Sequence, residues 1–176
     1  MTTSIVLTFI GHDKPGLVNA ISEKVAAAGG NWLESRLARL AGEFAGIVLI
    51  NVPEPNADDL TAALRTLEAA GLRITVERTS ALPPETSYTT LNLNIVGHDR
   101  PGIVRDVTQA LIDVGANIEE FSSFIESAPF TGDTMFHAAA RLYLPENVAA
   151  EDLRVILEKL ADEIMVDLTA SEDEGG

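Results

Sequence analysis

One pattern occurs twice in this chain: "FIGHDKPGLV" spans residues 9–18 and "IVGHDRPGIV" spans 95–104, an offset of 86 residues. A repeat on this scale constrains the architecture before any single residue is interpreted, because each copy must be a supersecondary unit with its own apolar face. The match runs on past the motif. "AAAGGNW" (26–32) aligns with "LIDVGANI" (111–118), so Asn31 and Asn117 keep the same offset. "LINVPEPNADDL" (49–60) then answers "LYLPENVAAEDL" (142–153), but Pro53 and Pro145 are 92 residues apart. The second copy has therefore gained about six residues inside "FSSFIESAPFTGDTMF". The Pro-Pro pair in "TSALPPETS" (79–87) reads as a linker. The expected layout is a first domain over 1–80, a linker over 81–87, a second domain over 88–170 and a disordered acidic tail over 171–176.

Within the first copy, "SIVLTFIG" (4–11) carries β-branched and aromatic residues up to a turn signal, which predicts a strand. Pro15 suits the first helical position, where its missing N–H costs nothing. Leu17, Val18, Ile21, Val25 and Ala28 follow at three- and four-residue intervals, predicting an amphipathic helix stopped by Gly29–Gly30. "NWLESRLARL" and "EFAGIVLINV" flank Ala41–Gly42 as a hairpin. An acidic start after Pro53 leads into Leu60, Ala63, Leu64 and Leu67, a second helix ended by Gly71. "LRITVERT" closes the unit as a strand. The second copy predicts a strand over 89–97, a helix over 101–114, a hairpin over 117–144, a helix over 147–161 and a strand over 163–170. The fold class is α+β: two ferredoxin-like βαββαβ units, each an antiparallel sheet with both helices on one face. A lone unit leaves its strand edges open, so an internally paired tandem is expected.

Composition narrows the function. Residues 1–86 carry 7 Lys/Arg against 10 Asp/Glu, and residues 87–176 carry 5 against 17, within a total charge of −15. Affinity for nucleic acid draws on cations that displace phosphate counterions. This chain repels a phosphate backbone, and no helix-turn-helix pattern offers a reading helix, so no direct nucleic-acid partner is expected. With no cysteine there is neither disulfide nor thiolate chemistry. No apolar run is long enough for a membrane span, and the N-terminus "MTTSIVLTF" lacks the marks of an export signal, so a cytoplasmic location is expected.

The repeated motif has two readings. It serves as a strand-to-helix turn, with Asp before the helix, Pro in its first turn and Gly for a tight backbone. It also offers a binding site: a helix start leaves the N–H groups of Gly16, Leu17 and Val18 beside positive dipole charge, suited to a carboxylate. Asp13 next to it accepts from an ammonium group, and Asn31 donates and accepts. A negative and a positive group held close together match a free amino acid. His12 and His98 occupy equivalent turn positions and His137 lies in a predicted strand, which suits local hydrogen bonds better than a metal site. No nucleophile-elbow, Walker or dinucleotide-binding pattern is present, and no catalytic residue, cofactor or metal is expected.

The motif "GHD[KR]PG[LI]V", the helix after it, and the "GGN" or "GAN" that opens the next strand resemble an ACT domain in both copies. "SAPFTGDTMF" (127–136) resembles the hairpin of the glycine cleavage system transcriptional repressor family, whose members are tandem ACT domains with little else. The resemblance implies a regulatory module that senses an amino acid at an ACT–ACT interface, with glycine or serine favoured. The ligand positions it implies are Asp13, Lys14, Pro15, Gly16 and Asn31, and Asp99, Arg100, Pro101, Gly102 and Asn117. Asp13 and Asp99 stand where many ligand-binding ACT domains carry Asn. The expected function is a non-catalytic regulator, in a homodimer, acting through a transcription factor or a metabolic enzyme. The rival readings are a regulatory subunit of an amino-acid enzyme and a purely structural dimerisation module.

Overall fold

A computed structural model describes residues 1–79, 88–160 and 164–170. The expected 81–87 linker and 171–176 tail lie outside the described residues. Two compact units form, Met1–Pro83 and Pro84–Gly176.

In unit one, β1 (Thr2–His12) leads to α1 (Leu17–Ala27), the hairpin β2 (Asn31–Leu40) and β3 (Glu43–Pro53), α2 (Ala57–Arg65) and β4 (Arg73–Thr79). In unit two, β5 (Tyr88–His98), α3 (Ile103–Asp113), β6 (Asn117–Ser127), β7 (Thr134–Pro145), α4 (Ala150–Glu158) and β8 (Met165–Ala170) repeat that order. The sheets run β2-β3-β1-β4 and β6-β7-β5-β8, every pair antiparallel. The repeat holds at the level of single pairs: Ile5 faces Ile50 in one sheet, and Leu91 faces Leu142 in the other. Even the irregularity recurs, with a register shift between Trp32 and Glu34 and another between Ile118 and Glu120.

Alternation explains which face is covered. Ile5, Leu7 and Phe9 of β1 and Val48, Ile50 and Val52 of β3 point to the same side, and all are buried. They form one core with Leu17, Ile21 and Val25 of α1 and Leu60 and Leu64 of α2. In unit two the corresponding core joins Leu91, Leu93 and Ile95 to Ile103, Val107, Leu111, Leu153 and Leu157. Both helices of each unit thus share one face of its sheet.

Three details differ from the sequence reading. Pro15 precedes the first helix instead of opening it, because Gly16 sits at φ +89° and only Leu17 has entered the helix. Pro101 and Gly102 (φ +86°) do the same before Ile103. The second helix closes at Arg65, and a 3-10 segment, Thr66–Ala70, carries the chain on to Gly71 at φ +91°. Val18, expected on the apolar face of α1, is exposed. The insertion falls in the expected hairpin. The two-residue Ala41–Gly42 turn of unit one is replaced in unit two by a longer connection, closed by Ala128 N–H donating to Asp133 O at 2.8 Å.

Candidate functional site: the turn between the first strand and first helix of each unit

Each turn begins where its strand ends at the hairpin. Asp13 N–H donates to Gly42 O at 2.9 Å, and Asp99 N–H donates to Thr134 O at 2.8 Å. The chain then enters a Pro-Gly turn with Gly at positive φ in the third position, the arrangement of a type II turn. In unit two Ile103 N–H closes it by donating to Arg100 O at 3.3 Å. Ile103 N–H, the unit-two counterpart of Leu17 N–H, is thus already engaged.

The side chains around the two turns are not alike. In unit one Asp13 Oδ2 lies 2.6 Å from Nε of Arg39, near the end of β2. Lys14 Nζ donates to Ala70 O at 2.6 Å. Both charged groups of this turn are therefore engaged within the unit. In unit two the register position of Arg39 is taken by Ile125: Arg39 faces Phe44 and Ile125 faces Phe136. Among the described residues, no side chain pairs with the carboxylate of Asp99, which is exposed.

Arg100 turns instead toward α3, with Nη1 2.7 Å from Oδ2 of Asp106, while Nη2 of Arg105 lies 2.8 Å from Oδ1. Hydrogen bonds from Arg100 and then Arg105 hold the Asp106 carboxyl below the usual aspartate range. Arg105 also covers the turn, since a β-carbon on Gly102 would lie 3.3 Å from its Nη2. An open cleft of about 500 Å³ lies beside these groups, lined by Asp99, Arg100 and Gly102 and by Ile103, Ile125 and Phe136 among others. A second cleft of about 570 Å³ in unit one is lined by residues of β1 and β4 and by Glu68, Gly71 and Leu72, and holds none of the turn residues.

Asn31 and Asn117 do not join these turns within a unit. Asn31 faces Asn51, which faces Ser4, whereas Asp13 follows His12 at the other end of β1. Nine residues of strand separate those ends, about 30 Å at the usual rise. A free amino acid cannot touch both ends of one sheet. The histidines are locally occupied: His12 Nδ1 lies 2.9 Å from Glu43 Oε1, and His137 stacks on Phe124 with ring centroids 4.7 Å apart. Among the described residues no group of His, Cys, Asp and Glu is placed to hold a metal.

Sequence reasoning misses Arg39, Arg105, Asp106, Ile125 and Phe136. Alignment of the two copies carries a usable signal, because a charged residue at 39 answers an apolar one at 125 while the turn itself is repeated.

The family model for the ACT domain matches twice, over residues 3–77 and 89–170. The chain belongs to the ACT-domain family. It is 29% identical to the glycine cleavage system transcriptional repressor of Escherichia coli (strain K12), over 91% of this chain and 85% of that one. It is also 29% identical to the phosphoserine phosphatase SerB2 of Mycobacterium tuberculosis, over 98% of this chain but only 41% of the phosphatase. Among solved structures, an unknown protein from Galdieria sulphuraria superposes with a TM-score of 0.86 at 30% identity, covering 98% of this chain and all of that one.

Proposed function

We propose that this tandem ACT protein is a non-catalytic regulator that responds to a free amino acid and acts in the cytoplasm through a protein partner, in transcriptional control of glycine or one-carbon metabolism. The observation that carries the reading is its relation to the glycine cleavage system transcriptional repressor along most of both chains. An indirect route fits the physics. A charge of −15 disfavours contact with a phosphate backbone, so control is exerted on a transcription factor. The turn motif is the ligand-responsive element in this reading, because it gathers a carboxylate, a cation and a glycine at one place. The alignment with part of a phosphoserine phosphatase favours a second reading, a regulatory unit serving an enzyme of amino-acid metabolism.

Two measurements test the proposal. Calorimetric titration of the full chain with each of the twenty amino acids should show binding for at least one of them at or below millimolar concentration. Deleting the gene should alter the response of glycine-cleavage transcripts to added amino acids. Transcripts that respond as before would remove the transcriptional part of the reading. A physical complex with an amino-acid enzyme would then favour the second.

A further inference from the structure

We infer that the amino-acid site lies in unit two alone, and that it selects an α-amino acid with a bulky apolar side chain over glycine and serine. This rests on the amino-acid-sensing reading above and specifies its site and ligand class.

The groups left unsatisfied in unit two match the two charges of such a ligand. Asp99 presents a carboxylate with no described side-chain partner, an acceptor for an ammonium group. Arg100 and Arg105 share the single carboxylate of Asp106, which leaves one guanidinium charge uncompensated beside Gly102 for a ligand carboxylate. Unit one lacks both. Arg39 holds Asp13, Lys14 is spent on the Ala70 carbonyl, and the positions matching Arg105 and Asp106 are Asn19 and Ala20.

The walls then decide the side chain. Val104, Phe124 and Ile125 line the cleft with exposed apolar surface next to Asp99. A volume of about 500 Å³ holds far more than glycine or serine. Those two ligands would leave the apolar walls in water, whereas a leucine or phenylalanine side chain would cover them. Burial of a side chain of that size is worth roughly tenfold or more in affinity. Ile125 is the discriminating residue, since an arginine there would give Asp99 the partner that Arg39 gives Asp13.

The test is calorimetry on the full chain with glycine, serine, leucine and phenylalanine. Leucine or phenylalanine should bind with one site per chain, at least about tenfold more tightly than glycine or serine. Ile125→Arg should abolish that binding, and Asp99→Asn should weaken it at least about tenfold. Both positions are exposed, and far-UV circular dichroism checks that each variant is folded; if Ile125→Arg is not, Asp99→Asn alone carries the test. Two sites per chain, or glycine or serine binding as well as leucine and phenylalanine, would overturn the inference and leave amino-acid sensing standing. So would unchanged affinity in a folded variant. Absence of heat with all twenty amino acids would overturn both.

Discussion

Arg39 Nε and Asp13 Oδ2 lie 2.6 Å apart in unit one, and the matching pair of positions in unit two holds Ile125 and Asp99. Both members of the unit-one pair reach solvent, with side chains 68% and 34% exposed, so the contact adds little to stability. Its consequence is local: it occupies the one carboxylate that the turn offers. The two units therefore keep the same backbone and the same motif while differing in what remains available to a ligand. Repetition of a turn and repetition of a site are separate properties, and here they part where Arg39 answers Ile125 and where Asn19 and Ala20 answer Arg105 and Asp106.

The Ala41–Gly42 turn yields a stability prediction. Both residues have positive φ, 51° and 84°, as a two-residue type I′ hairpin turn requires. Ala41 is the one described non-glycine residue in that region, where a β-carbon is disfavoured. Asparagine tolerates the left-handed conformation better, so Ala41→Asn should stabilise unit one by about 0.5–1 kcal/mol. Urea denaturation at constant m-value checks it, and a loss of stability would show that the turn relaxes in solution.

Gly16→Ala and Gly102→Ala should each destabilise by about 1–2 kcal/mol, because φ values of +89° and +86° oppose any β-carbon. The second substitution should do something the first cannot. Nothing lies within 4 Å of a β-carbon at Gly16, whereas one at Gly102 meets the Arg105 guanidinium at 3.3 Å. Gly102→Ala should therefore also shift the Asp106 carboxyl resonance in NMR spectra, with no counterpart effect from Gly16→Ala.

Particular residues explain how much of the fold and site is legible in the sequence. Strand alternation at Ile5, Leu7 and Phe9 and helical spacing at Leu17, Ile21 and Val25 are local patterns, and each residue in them is buried. Ala41–Gly42 and the Gly71 stop are equally plain, since they depend on neighbouring residues alone. Pro15 is ambiguous because Pro-Gly suits both a helix start and a type II turn, and the φ of Gly16 decides between them. The site is only half legible. Its turn residues are contiguous, but Arg39 approaches Asp13 from 26 residues away, across a hairpin whose register must be known. Spacing in the chain groups Asn31 with the turn, although strand direction carries it to the far end of the sheet.

Asp106 supplies a pH prediction. Its folded-state pKa lies below the ordinary aspartate value because Arg100 and Arg105 hydrogen-bond the ionised form. A depressed folded pKa contributes stability that is present above the unfolded value and is lost as pH falls through the folded one. Carbon-detected NMR titration should place Asp106 below 3.8, the ordinary value, with Arg100→Ala raising it more than Arg105→Ala does. The side chain is 23% exposed and still reaches solvent, so high salt should move the wild-type value back upward. A titration at the ordinary value in low salt would show that the two arginines do not hold the carboxylate in solution.

The asymmetry between the turns can also be tested by building the site in unit one. Arg39→Ile alone frees Asp13 and places an apolar side chain opposite Phe44, which restores the wall and the ammonium acceptor. It does not restore a carboxylate partner, because Lys14 remains on Ala70 and Asn19 stands where unit two has Arg105. The single substitution should therefore leave the calorimetric stoichiometry for leucine or phenylalanine at one site per chain. Adding Lys14→Arg, Asn19→Arg and Ala20→Asp supplies the counterparts of Arg100, Arg105 and Asp106, the last two on the first turn of α1, where Asn19 is exposed and Ala20 half-buried. The quadruple variant should bind two ligands per chain, the new site within about tenfold of the original, since the same groups then surround the same turn. A second site created by Arg39→Ile alone would mean that release of the aspartate is sufficient. No second site in the folded quadruple variant would mean that the cleft of unit two depends on more than these residues.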